Sequence, residues 1–125
     1  MAQSDRKRVY AKSRADWRAW LKSNHKQNEA IWLIQHKKIS KKPCVTYDEA
    51  VEEALCFGWI DSLVNKLDDE RYLMMMSPRR PKSGWSKSNK DRVKKLIKAK
   101  KMTAAGLAKI EAAKKDGSWS KLDSP

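Results

Sequence analysis

The sequence predicts a small single-domain α+β fold, with about three antiparallel strands packed by helices and closed by a C-terminal helix pair. Three observations carry this. The chain has 125 residues, enough for one modest core and too few for two. Its apolar residues switch between helical spacing and short strand-like runs in the order helix, strand, helix, hairpin, helix pair. Six tryptophans and five methionines supply core material although mean hydropathy is only −0.85.

Residues 1–12 are polar and basic and read as a flexible N-terminal extension, leaving a domain over 13–120 and a short tail over 121–125. Ser13 with Asp16 is a capping signal, and the helix it opens, from Arg14 to about Ser23, puts Trp17, Trp20 and Leu21 on one face. EAIWLIQHKK, residues 29–38, is an apolar run between polar flanks and reads as a strand buried on both faces. Pro43 breaks the loop that follows. Thr46 and Glu49 form a capping box, and Asp48, Glu49, Glu52 and Glu53 crowd a helix start, where the dipole favours acids. That helix should run from Tyr47 to about Phe57, burying Ala50, Val51, Ala54, Leu55 and Phe57, and should end at Gly58.

From Trp59 the run WIDSLVNKL alternates, with Ile60 and Val64 on one face and Trp59, Leu63 and Leu67 on the other. Asp68, Asp69 and Glu70 make a polar turn, and RYLMMMS returns as the second hairpin arm. SPRRPKSGWSKSNKDR, residues 77–92, has the composition of a tail. Trp85 inside it and the Val93, Leu96, Ile97 periodicity after it make it an ordered strand-to-helix connection instead. The helix carrying that periodicity covers about Asp91 to Lys101. Thr103 begins another, with Leu107 and Ile110 as apolar contacts, up to Asp116 and Gly117, and Trp119 folds back on it.

The formal net charge of +14 points to an anionic partner: a nucleic acid, an anionic lipid surface or a phosphorylated metabolite. The charge is unevenly placed. Residues 1–78 hold 14 Lys and Arg against 11 Asp and Glu, whereas residues 79–125 hold 15 against 4. The N-terminus lacks the apolar region of an export signal, and no run approaches the roughly 20 apolar residues of a membrane helix. The expectation is a cytoplasmic protein without a transmembrane segment. Cys44 and Cys56 lack metal or redox spacing and read as reduced thiols, Cys56 as a buried hydrophobe. His25 and His36 are isolated, so no metal is expected, and no Gly-rich phosphate loop or GxSxG elbow calls for a cofactor or a hydrolase.

Two constellations remain. Arg79, Arg80 and Lys82 precede a helix start at Ser86 or Ser88, with Asn89 and Arg92 in its first turns. Unpaired amides, a serine hydroxyl and an arginine could together hold phosphate, sulfate or carboxylate, while the same serines also serve as ordinary N-caps. Trp59, Asp61 and Trp85 form the second group. Asp61 pairs with Arg79 or Arg80 in a structural salt bridge, or it stands against a tryptophan wall as a general acid or base.

Several phrases carry a family resemblance: ADWRAWLKSNH, IWLIQHKK, TYDEAVEEALCFGWIDS, RYLMMMSPRRPKSGWSKSNKDRVKKLI, MTAAGLAKI and AKKDGSW. Over residues 14–119 the chain resembles the YdeI or OmpD-associated proteins, also called OmdA-like or bacteriocin-protection proteins. The resemblance implies a setting of stress or antimicrobial-peptide resistance and brings no catalytic residues with it. The expected function is therefore non-enzymatic binding of an anionic ligand or polyanion through the basic strand-to-helix loop. The alternatives are a small-molecule enzyme or sensor with a cleft between Trp59 and Trp85, using Asp61, Arg79 and Arg80, and a protein-interaction scaffold.

Overall fold

A computed structural model describes residues 6–123 of the chain. Residues 1–5 of the expected extension and 124–125 of the expected tail lie outside the described residues. The elements are β1 (Arg8–Tyr10), α1 (Arg14–Asn24), β2 (Ile31–His36), α2 (Tyr47–Cys56), β3 (Trp59–Lys66), β4 (Arg71–Pro78), α3 (Lys87–Lys98) and α4 (Ala104–Asp116). Two short 3-10 turns, Lys38–Ser40 and Ser118–Ser120, complete them. The class is the α+β class the sequence predicts, ending in two helices.

The sheet differs from the expected three antiparallel strands. It has four, in the order β1-β2-β4-β3, with β1 parallel to β2 and the other pairs antiparallel. The added strand lies in the segment read as an N-terminal extension. Its sequence, RVY, buries only Val9, so it carries no readable period; pairing with β2 across the α1 crossover makes it a strand. A second difference is a register shift between Asp61 and Val64. The extra residue breaks the alternation expected for β3. Leu63 and Val64 are both exposed, and Leu67 packs with Trp32, Leu73 and Met75 on the face opposite Trp59.

Four side-chain caps set the helix starts. Ser13 accepts from the Asp16 amide, Ser86 from Asn89 and Thr103 from Gly106, while Thr46 and Glu49 form the reciprocal capping box. At the other end of α2, Gly58 takes φ +79, which a side chain at that position would strain.

The main core lies between the helices and one sheet face, where Ile31, Leu33, Trp59, Met74 and Met76 meet Trp17, Leu21 and α2. Helix α2 is its centre: every residue from Ala50 to Cys56 is buried, including Glu52 and Glu53. Glu53 takes Arg14 Nε at 2.5 Å and Arg18 Nη1 at 2.7 Å; Glu52 takes Arg14 Nη1 at 2.9 Å and Lys95 Nζ at 2.7 Å. The Trp17 indole donates to the Ala50 carbonyl at 3.0 Å, and the Trp59 indole to that of His25 at 2.9 Å. On the other sheet face Trp32, Leu73 and Met75 form a smaller cluster that no helix residue joins. Helix α4 meets the end of α2 through Gly106, with Ile110 and Ala113 also buried; Leu107, expected as a contact, is exposed, as is Ile97 of α3.

Two tests follow from this packing. A Cβ at Gly106 would sit 2.3 Å from the Cys56 carbonyl oxygen. Gly106→Ala should therefore lower stability by about 1–3 kcal/mol, read by urea unfolding. Burial would raise the Glu52 carboxyl, but hydrogen bonds and charge from Lys95 and Arg14 outweigh it and hold the group below its ordinary value. The folded value is thus depressed, so this contribution is present at neutral pH and is lost as pH falls through the folded value. Unfolding midpoints should drop between about pH 5 and about pH 3, and Glu52→Gln should flatten that drop.

Candidate anion-binding site

Strand β4 delivers Arg79 into the chain's most basic third. The Arg79 amide donates to the Gly58 carbonyl at 3.0 Å, which ties the strand exit to the turn after α2. Residues 79–84 then wrap around the Arg79 side chain. Its Nη2 donates to the Gly84 carbonyl at 2.9 Å and to Ser83 Oγ at 3.2 Å, and Ser83 Oγ in turn donates to the Arg80 carbonyl at 2.9 Å. Lys82 adopts φ +65 to let the loop curl. The guanidinium lies 3.8 Å from the centroid of the Trp85 ring, close enough for a cation–π contact. Trp119 covers the same indole at 5.0 Å and is itself flanked by the ammonium groups of Lys90 and Lys114.

Arg79 is only 5 % exposed. Among the described residues no carboxylate pairs with it, and neither Nε nor Nη1 has an acceptor. Burial pulls the guanidinium down to about 10 and no charge partner restores it, although one carboxylate, Asp116, borders the same small recess. More positive charge stands beside it. Lys109 reaches from α4 to donate to the Arg79 carbonyl at 2.9 Å. Arg79, Arg80, Ser83 and Lys109 together border a recess of about 70 Å³ against α4 and a wider cavity of about 750 Å³ over the end of the sheet.

The predicted anion residues divide into two groups. Arg79, Arg80 and Lys82 come together at the small recess, with Trp85 as its wall. Ser86, Asn89 and Arg92 border neither that recess nor the wider cavity. Ser86 Oγ caps α3 by accepting from the Asn89 amide at 3.2 Å. Asn89 accepts from Arg92 Nη1 at 3.2 Å, and Arg92 Nη2 donates to Asp48 at 2.9 Å, so this end of α3 is bound to α2.

The expected salt bridge from Asp61 to Arg79 or Arg80 is absent: Asp61 accepts instead from the Tyr47 hydroxyl at 3.1 Å. Nor do Trp59, Asp61 and Trp85 enclose a cleft. Trp59 is 1 % and Trp85 2 % exposed, each consumed by core contacts, Trp59 against Trp20 and Trp85 between Arg79 and Trp119. The Cys56 thiol is pushed up to about 11, chiefly by burial with Glu53 adding to it, so it is no nucleophile at neutral pH.

Lys109 was not among the predicted site residues, since its helix reads as a solvated lysine-rich surface. The available signal was Gly106, one turn earlier, which marks the face of α4 that approaches α2 and therefore the side on which Lys109 stands.

Residues 9–109 match the model of a family described as a domain of unknown function, DUF8412. The chain belongs to that family. The matched DUF8412 region runs from β1 into α4 and contains Arg79, Arg80 and Lys109; Trp119 lies beyond it. Comparison with curated proteins and with solved structures gives no match. Among the described residues of this DUF8412 domain, no helix is long and apolar enough to cross a membrane. No group of three His, Cys, Asp or Glu side chains among them is placed to hold a metal ion.

The unpaired charge has a consequence for stability. Removing one partner of a buried ion pair costs about 3–5 kcal/mol, but Arg79 has no partner to strand. Arg79→Met should therefore leave stability within about 1 kcal/mol of the parent, since relief of desolvation offsets the lost hydrogen bonds. Urea unfolding of the two proteins checks this; a loss in the ion-pair range would mark Arg79 as scaffold.

Proposed function

We propose that this protein binds an anion beside Arg79, with Arg80 and Lys109 adding to its hold. One observation carries the reading: an arginine residue 5 % exposed, with no carboxylate partner among the described residues and with Nε and Nη1 free to meet a ligand. A buried charge is normally paired because taking it out of water costs several kcal/mol. The same chain pairs its buried carboxylates, Glu52 and Glu53, with three cations. An oxyanion in the recess would complete Arg79 in the same way, through charge-assisted hydrogen bonds to its free N–H groups.

The setting in which such binding would matter is supplied by the resemblance to the YdeI or OmdA-like proteins, namely stress or antimicrobial-peptide resistance. A role in binding is favoured over catalysis because the only acid offered for a reaction, Asp61, is held by Tyr47 away from the arginines. A second reading, binding of a nucleic acid or another polyanion, has its own support in the exposed cations Lys87, Lys94 and Lys98 of α3 and Lys114 and Lys115 of α4.

Titration with inorganic phosphate and with sulfate, followed by calorimetry, tests the first reading. Binding should be present in the parent and weakened about tenfold or more in Arg79→Met, while Lys94→Glu leaves it nearly unchanged. A labelled oligonucleotide at two salt concentrations tests the second. Polyanion binding should fall steeply with salt and respond to Lys94→Glu more than to Arg79→Met.

A further inference from the structure

We infer that the ligand is an amphipathic organic anion, its charged head at Arg79 and its apolar body in the wider cavity above the end of the sheet. This rests on the anion reading above and names the ligand class. The recess and the cavity are continuous in their walls: Arg79, Arg80, Pro81, Ser83 and Lys109 border both. The cavity's volume of about 750 Å³ far exceeds what a bare phosphate or sulfate would fill. It lies within the range of roughly 300–1,000 Å³ typical of sites for small organic molecules.

The chemistry of the walls is graded. Ala30, Ile60, Met75, Pro78 and Pro81 provide apolar surface, with Met75 belonging to the sheet-face cluster that no helix covers. Ser62 and Ser77 add hydroxyls, and Arg6 joins the other cations at the border, against Glu29 as the one carboxylate among the described residues. An apolar floor beside a cationic edge suits a molecule with a hydrocarbon or ring body and a single anionic end. It suits a nucleic acid poorly, because among the described residues no aromatic ring borders the cavity for a base to stack on.

Calorimetric titration of the full chain with inorganic phosphate and then hexyl phosphate separates the possibilities. The alkyl chain should tighten binding about tenfold or more through apolar burial. Ile60→Ser should remove most of that gain while leaving inorganic phosphate affinity unchanged. Because Ile60 is partly buried and its loss could loosen the fold, Ser62→Trp serves as a second variant, filling the cavity from an exposed position with the same loss expected. Hexyl phosphate binding no tighter than inorganic phosphate would overturn this inference and leave the anion reading standing. A chain-dependent gain that survives both variants would also overturn it. Failure of both phosphates to bind would overturn the anion reading and this inference with it.

Discussion

Beyond its exposed first turn helix α2 is buried at every residue from Ala50 to Cys56, and two of those residues are glutamates. That constraint organises the rest of the molecule. A carboxylate that is 1 % exposed, as Glu53 is, requires cations at hydrogen-bond distance; those of Glu53 come from α1, and neighbouring Glu52 adds one from α3. Arg14 and Arg18 fix α1 against α2 from one side, and Lys95 fixes α3 from another. Arg14 bridges both glutamates, so the three helices share one charged seam rather than separate surface pairs. Trp17 reinforces the first contact through its indole N–H, while Thr103 and Gly106 bring α4 onto the C-terminal end of the same helix, both at Cys56. The helices therefore gather on one sheet face, and the other face keeps only its own cluster.

Arg79 presents the inverse case. Here a cation is largely buried, yet its direct partners are carbonyl and hydroxyl oxygens and an indole face, with further cations and Asp116 around the recess. Dipoles and a π-face lessen the cost of burying a guanidinium without neutralising it. The loop that holds it is clamped from outside by the C-terminal segment. Trp119 rests on Trp85, Asp123 pairs with Lys90 at 2.5 Å, and Leu122 occupies the space a side chain at Gly84 would need. An arginine so surrounded cannot easily swing out to water. On the proposed reading its free N–H groups would be held in place before a ligand arrives, which would lower the ordering cost of binding.

What could be read from the sequence was what is decided locally. Thr46 with Glu49, Ser13, Thr103 and Gly58 announce helix ends because caps are contacts within a few residues. Strand β1 could not be read, since RVY is a strand only by virtue of its partner. The bulge in β3 could not either, because one extra residue leaves composition unchanged while inverting the faces beyond it. The acids of α2 were legible as dipole partners, but burial of Glu52 and Glu53 depends on three other helices converging. At the site, composition pointed to Arg79, Arg80 and Lys82. It could not show that Asn89 and Arg92 turn toward Asp48, or that Lys109, thirty positions on, turns toward Arg79.

The chain's charge thus acts at two ranges. Lysines on α3 and α4 raise the anion concentration around the C-terminal third, an effect that salt screens within about 10 Å at 0.1 M. They cannot choose among anions, since exposed ammonium groups meet any of them through water. Choice requires a charge fixed in direction, and Arg79, held by Ser83, Gly84 and the Trp85 ring, has that property. Where this protein buries a charge in its core, at Glu53, it places opposite charges beside it, Arg14 and Arg18. On the proposed reading, leaving Arg79 unmatched costs folding free energy that an occupied site would return, and this residue, rather than the sum of the lysines, would be the point at which charge becomes recognition.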